Sequence, residues 1–402
     1  MMIEIGNLRK EKLGEWTRLI VDISSDINRT DNETTMWIAV KNENEDMLTT
    51  DVYDAFLPLP LYMCMYYHTD LKIHGYVSKK LYYNINDYLQ AILCSFSENL
   101  EPVSVMVQGF KEAAGEHKLI GTGISCGVDC LSTIYRWYEL ENEPAYKINA
   151  LFMLNCGWNG DYYDEMTRKI FEKRCEINMS AAEHIGLSFY MVDSNLHCFL
   201  PQLDDQASFF SIYSCVLALE KAIGKYYISS SYSYGETVEF GTAARKRSFA
   251  EYADPVAIPL LSTEVCQLSS DGYQFKRTQK TENISDWKIA KKYLNVCCKN
   301  DSVENCSCCV KCTRTLLALE AMGKIDEYAD SFDLKMWNKI SYREKCKLAI
   351  DKRRNAFAVD LYDYCRKCGM KLPSTLSARL YFLPKYIKKI PIYVRRLINR
   401  KK

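Results

Sequence analysis

Two stretches of this chain place reactive residue types at spacings that serve chemistry. The run from Cys297 to Cys312 reads CCKNDSVENCSCCVKC and holds six of the chain's 18 cysteines. Taking Cys297, Cys306, Cys309 and Cys312 gives one thiolate, an eight-residue loop and two CxxC steps. That is the ligand set of a tetrahedral all-sulfur Zn²⁺ site with bonds of about 2.3 Å. Cys298 and Cys308 are surplus, although Cys298 could replace Cys297 with a loop one residue shorter. With every position filled by protein, the site is expected to be structural and metal binding to contribute to folding. A disulfide cluster or unrelated buried thiols are the alternatives.

The second stretch is Gly121-Thr-Gly123-Ile-Ser125-Cys126-Gly127-Val128-Asp129-Cys130. Its small residues let backbone amides converge at the start of a predicted helix, where unpaired amides and the positive dipole end favour phosphate and Ser125 adds a hydroxyl donor. No Gly-Lys-Ser/Thr follows, so a Walker-type kinase or GTPase is excluded, and GxGxxG is not matched either. A plain strand-to-helix turn is the bland alternative.

The elements that must carry these residues alternate in type. Apolar strands are predicted near 118–124, 148–154, 188–192 and 226–229, with amphipathic helices over 128–138, 162–185 and 206–223. This is the pattern of an α/β fold with a parallel sheet covered on both faces, which collects ligands at strand carboxyl ends. Ahead of it, strands are expected at 37–40, 72–76 and from Val103, with helices at 55–67 and 80–96. After it, helices at 286–293 and 311–322 flank the cysteine run. The predicted organisation is an N-terminal α+β extension (1–116), an α/β domain that carries the small-residue loop (117–285), a helical zinc-knuckle region (286–380) and a basic amphipathic tail (381–402). Cys365 and Cys368 form a lone CxxC, read as structural.

Composition adds exclusions. Lys+Arg of 52 against Asp+Glu of 51 gives a net charge of +1, which provides no global field for nucleic acid or membranes. The beginning MMIEIGNLRKEKLGEW lacks the apolar core of a secretory signal, so cytoplasmic location and free thiols are expected. No stretch is long and apolar enough for a transmembrane segment. From Pro384 to Lys402 basic residues interleave with apolar ones without an acid, a candidate peripheral membrane or RNA contact, or a frayed solvated helix.

The segment SCGVDC, Ser125 to Cys130, resembles the SGGxDS pyrophosphate loop of the N-type ATP pyrophosphatases, the PP-loop or adenine-nucleotide alpha-hydrolase-like superfamily. The downstream cysteine and CxxCxxC make it similar to the 7-cyano-7-deazaguanine synthase branch, over roughly Lys118 to Gly323. The resemblance implies an ATP- and Mg²⁺-dependent ligase-type enzyme that adenylates a carboxylate or carbonyl oxygen of a small acid for attack by ammonia or another nucleophile. It places Gly123, Ser125, Cys126, Gly127, Val128, Asp129 and Cys130 around the nucleotide, with Asp129 and Ser125 as the catalytic pair. Cys126 and Cys130 depart from the motif's glycine and serine. A catalytically impaired nucleotide-binding interaction protein and a tRNA-modifying enzyme are the competing readings.

Further candidates are weighed against ordinary roles. Ser230, Tyr232 and Glu236 in SSSYSYGE and Asn155 and Trp158 in NCGWNG could meet substrate or adenine; a solvated loop or core packing would explain them equally. Ser262, Thr263 and Glu264 open LLSTEVCQL, which also reads as the N-cap of a helix. Arg277 and Lys280 could reach a polyphosphate, or be exposed charges. None of the five histidines has ligand spacing.

Overall fold

The computed structural model describes residues 2–25, 33–156, 165–199, 207–244, 253–297 and 303–384. Trp158, Cys298 and the basic run from Lys385 onward lie outside the described residues. Ten strands form one α/β sheet, mostly parallel, in the order β10-β9-β6-β7-β8-β3-β2-β1-β4-β5. They are β1 (Met2–Leu13), β2 (Trp16–Ser25), β3 (Thr35–Lys41), β4 (Asp70–Val77), β5 (Val105–Phe110), β6 (Leu119–Gly123), β7 (Ala150–Leu154), β8 (Ser188–Ser194), β9 (Ile223–Ser229) and β10 (Gln267–Asp271).

The helices are α1 (Pro58–Tyr67), α2 (Lys79–Asn84), α3 (Gln90–Phe96), α4 (Val128–Ile134), α5 (Glu165–Ile185), α6 (Ala207–Leu217), α7 (Tyr234–Ala244), α8 (Asp254–Ala257), α9 (Arg277–Ile284), α10 (Lys288–Tyr293), α11 (Val310–Ala321), α12 (Leu334–Asp351) and α13 (Ala356–Lys367). Among the described residues no helix is long and apolar enough to cross a membrane.

Strands β6 to β10 are mutually parallel, and their order carries functional weight. The chain runs outward from β6 through β7 to β8, then returns to β9 and β10 on the other flank of β6. The carboxyl end of β6 is therefore the point where the winding reverses, the crevice in which open α/β sheets hold ligands. Buried runs such as Ala150–Leu154 have apolar side chains on both faces, as strands covered by helices require.

The first third joins the same sheet. Strand β3 pairs antiparallel with β8 through Ile38↔Ser194 and Val40↔Val192, so strands on both sides of residue 116 share one hydrogen-bonded ladder. Strands β1 and β2 carry no prediction from the sequence; the outer half of β1 is charged and largely exposed, whereas β2 is mostly buried. Gly14, at φ +60°, turns the chain between the paired residues Leu13 and Trp16.

Two sequence expectations change. The helix predicted over 206–223 ends at Leu217, and Ile223 already belongs to β9. The segment LLSTEVCQL is not the start of a helix: a short 3₁₀ turn ends at Leu261 and β10 follows. The hydroxyls close a turn instead, since Ser262 Oγ accepts from the Leu268 amide at 3.0 Å and Thr263 Oγ1 from the Cys266 amide at 2.9 Å.

Candidate functional site

The site is built at the carboxyl ends of β6 and β9. Phe152 and Tyr226 crowd β6 from either side, and a Cβ on Gly121 would stand 2.5 Å from the Phe152 ring. Gly121 therefore serves packing, and the loop proper begins at Gly123. Gly127 then adopts an extended N-cap conformation, and α4 starts with no side-chain cap. The amides of Val128, Asp129 and Cys130 accordingly have no carbonyl within the helix to bond, and they point out of its amino terminus. The helical run continues as a π-turn over Tyr135–Leu140.

Cys126 occupies the left-handed region at φ +55°, the conformation for which glycine is suited. Its side chain is fully buried in the core beneath the loop, and burial, with Cys130 adding to it, holds the thiol well above its usual pKa. Packing of the sulfur thus offsets a backbone conformation that costs about 1–2 kcal/mol for a residue with a β-carbon. Cys130 turns back into the loop: its Sγ lies 3.4 Å from the Ser125 amide, 3.5 Å from Ser125 Oγ and 3.3 Å from the Gly127 carbonyl, to which it donates. Burial raises this thiol as well, against the Ser125 donors. Ser125 itself is exposed at the crest.

Asp129 is met by two cations from α9. Arg277 Nη1 donates to Asp129 Oδ2, and Lys280 Nζ lies 3.7 Å from Oδ1. Lys280 is 1% exposed and donates to Ser230 O at 2.6 Å and Ser230 Oγ at 2.7 Å, while burial lowers its pKa. Gly272, at φ +88°, makes room for it, since a Cβ there would stand 3.0 Å from Lys280 Cε. These residues sit together because β9, β10 and the α4 helix converge: Asp271 accepts from Thr133 Oγ1 (2.9 Å), Arg136 Nη1 (2.5 Å) and Trp137 Nε1 (2.8 Å). A third cation, Arg314 of α11, lies over the Phe357 ring at 4.0 Å, and Phe357 stacks on Tyr232 at 4.9 Å.

Other predicted residues take different places. Glu236 forms a capping box with Ser233, accepting at 2.8 Å from both its amide and its hydroxyl, so it is the start of α7 that it serves. Asn155, at the carboxyl end of β7, donates to Asp193 Oδ1 at 2.8 Å. Ser262, Thr263 and Glu264 precede β10 and so lie at the amino-terminal edge of the parallel strands, away from the loop. There Glu264 accepts from the Lys80 amide at 2.7 Å. Arg314 carried no signal in the sequence, because one arginine within an amphipathic helix looks like a solvated charge until its neighbours are known.

The cysteine cluster stands next to this loop. The Sγ atoms of Cys297, Cys306, Cys309 and Cys312 all lie within 4.8 Å of one another and could hold a metal ion. A tetrahedron of 2.3 Å bonds has edges of about 3.8 Å, so the four sulfurs are already near that arrangement. Cys309 caps α11, its sulfur accepting from the Cys312 amide at 3.5 Å, and the Cys309 amide points at Cys306 Sγ at 3.3 Å. Burial opposes ionisation of Cys306, but the amides of Cys308 and Cys309 together with the side chains of Cys297 and Cys308 outweigh it, and its pKa falls below the usual value. Burial pushes Cys312 upward, and the neighbouring sulfurs add to this. Four thiolates could not share so small a volume without a cation, so full ionisation of the cluster would require a metal ion among the sulfurs. Cys308 lies beside the set, 3.7 Å from Cys306 Sγ.

Asn305 ties the knuckle to the segment that leads into it. Asn305 Nδ2 donates to the carbonyls of Leu294 (2.8 Å) and Ser331 (2.9 Å), while its Oδ1 accepts from the Val296 amide (2.9 Å). Comparisons with protein-family models, with characterised proteins and with solved structures return no match.

Proposed function

We propose that this protein is an ATP-dependent ligase-type enzyme of the PP-loop kind, similar to 7-cyano-7-deazaguanine synthase, and that the four-cysteine cluster holds structural Zn²⁺. The observation that carries the reading is the uncapped amino terminus of α4 at the winding reversal beside β6, with Asp129, Arg277 and Lys280 gathered around it. Amides there suit the β- and γ-phosphates of ATP, and Arg277 and Lys280 suit the charge that grows on departing pyrophosphate. Bound Mg²⁺, which Asp129 would help to hold, would supply further charge neutralisation.

The reaction is acyl adenylation. A carboxylate oxygen of the substrate attacks the α-phosphorus, the bond from it to the bridging oxygen breaks, and pyrophosphate carries the electron pair away. Ammonia or another nucleophile then attacks the acyl carbon, AMP leaves and the nucleophile gives up a proton. Ser125, exposed at the crest, would donate to a phosphate oxygen.

Cys130 supports a second reading, a nucleotide-binding interaction protein with impaired turnover, because its sulfur already engages the Ser125 amide and hydroxyl. Thiolation of tRNA is less well supported: it needs a reactive thiolate at the loop, and burial keeps both Cys126 and Cys130 protonated.

The test is pyrophosphate release from Mg²⁺-ATP in the presence of pooled carboxylic acids, with Asp129→Asn as control. Release that depends on one acid pool and falls at least about a hundredfold in the variant is expected. ATP binding with no release in any pool would favour the interaction protein, and absence of ATP binding at millimolar concentration would end both readings.

A further inference from the structure

A cavity of about 560 Å³ opens between α11, α12 and α13 beside the cysteine cluster. Its volume falls within the range of about 300–1,000 Å³ that small-molecule sites occupy. Val310, Leu317, Leu348, Phe357, Leu361 and Phe382 supply its apolar walls. Five charged side chains also line it: Arg314, Glu344, Lys347, Asp351 and Arg354.

Four of these charges pair among themselves. Lys347 Nζ lies 2.7 Å from Glu344 Oε1, and Arg354 Nη1 lies 3.6 Å from Asp351 Oδ2. Arg314 belongs to neither pair. Its Nη1 is buried without a hydrogen-bond partner among the described residues. A buried donor in that state is costly, and an anionic oxygen arriving there would satisfy it with a charge-assisted bond.

We infer that this cavity binds a small organic anion, its apolar body against the leucine and phenylalanine walls and its charged end on Arg314. The site is formed by α11, α12, α13 and the residues adjoining them, Phe382 included, and stands whether or not the loop binds ATP. The Arg314 end is the one nearer the loop, because Phe357 beneath the guanidinium stacks in turn on Tyr232 at the carboxyl end of β9.

Calorimetric titration of the metal-replete full chain with 1-naphthoate and with uncharged 1-naphthamide, both without nucleotide, tests the site. One naphthoate per chain is expected, with the amide at least about tenfold weaker, since the difference is the charge-assisted bond. Arg314→Gln should remove the preference for the acid, and Arg314→Lys should keep part of it. Ala358→Trp, at a half-buried helix position lining the cavity, should abolish uptake of both compounds with an unchanged circular dichroism spectrum. Equal binding of acid and amide, a preference that survives Arg314→Gln, or uptake that persists in Ala358→Trp would overturn the proposal, as would no naphthoate uptake by the parent.

Discussion

The backbone amide of Asn295 donates to the Cys126 carbonyl at 2.8 Å, tying the segment that leads into the cysteine cluster to the turn of the phosphate loop. The same asparagine holds the cluster's own loop, since its side chain donates to the Val303 carbonyl. The conformation of the loop and the integrity of the knuckle are therefore coupled through one residue.

Metal removal should be felt at the loop. Elemental analysis is expected to find one zinc per chain, and Cys309→Ser or chelation should lower Tm by at least about 5 °C. Amide hydrogen exchange over 123–130 should accelerate at the same time. A metal-free chain of unchanged Tm would refute the assignment.

The left-handed turn at Cys126 gives a comparison of two variants that both lose the sulfur. Cys126→Ala keeps the strained conformation, whereas Cys126→Gly relieves it. The glycine variant should be the more stable by about 1 kcal/mol in urea unfolding, although glycine is ordinarily the worse replacement.

Asp129 balances two cations. In Asp129→Asn, Arg277 and Lys280 lose their common carboxylate, and with Lys280 fully buried the loss should be about 3 kcal/mol. Inorganic pyrophosphate should then raise Tm more in the variant than in the parent, because it supplies the missing negative charge. Equal shifts in the two proteins would argue against a polyphosphate site.

On the opposite edge of the sheet, the buried carboxyls of Asp54 and Glu220 influence one another. Burial raises both, Asp54 to about 7, although Ser78 donates to it through amide and hydroxyl. The folded state thus holds protons that the unfolded chain releases near pH 4, so stability should fall as pH rises from about 4 to about 7. Glu220→Gln removes one of the two acids while keeping an acceptor for Thr263 Oγ1. Urea midpoints should decline less steeply over this pH range in the variant.

Much of the frame was legible in the residues. Strands β6, β7, β8 and β9 and helices α4, α5, α10 and α11 lie close to their predicted spans, because each carries a local periodicity matched to its burial. The four metal-ligand candidates were legible for a similar reason: CxxC steps converge through local turns. β10 was not, since its five residues QLSSD have an apolar content no greater than a loop's and become a strand only by pairing with β9. The hydroxyl-rich turn before it mimics a helix cap until Leu268 is seen to take Ser262.

The sequence by itself determined what is set by neighbours along the chain: the α/β alternation, the small-residue loop at the start of a helix, and the cysteine spacing. Tertiary structure decided what depends on distant segments meeting. Only the folded chain brings Arg277 and Lys280 to Asp129, joins Asn295 to Cys126, extends the parallel strands into a ten-stranded sheet through β3 and β8, and leaves Arg314 Nη1 buried without a hydrogen-bond partner among the described residues. Charge pairing and desolvation depend on which groups are close in space, and spacing along one strand or helix contains no record of that.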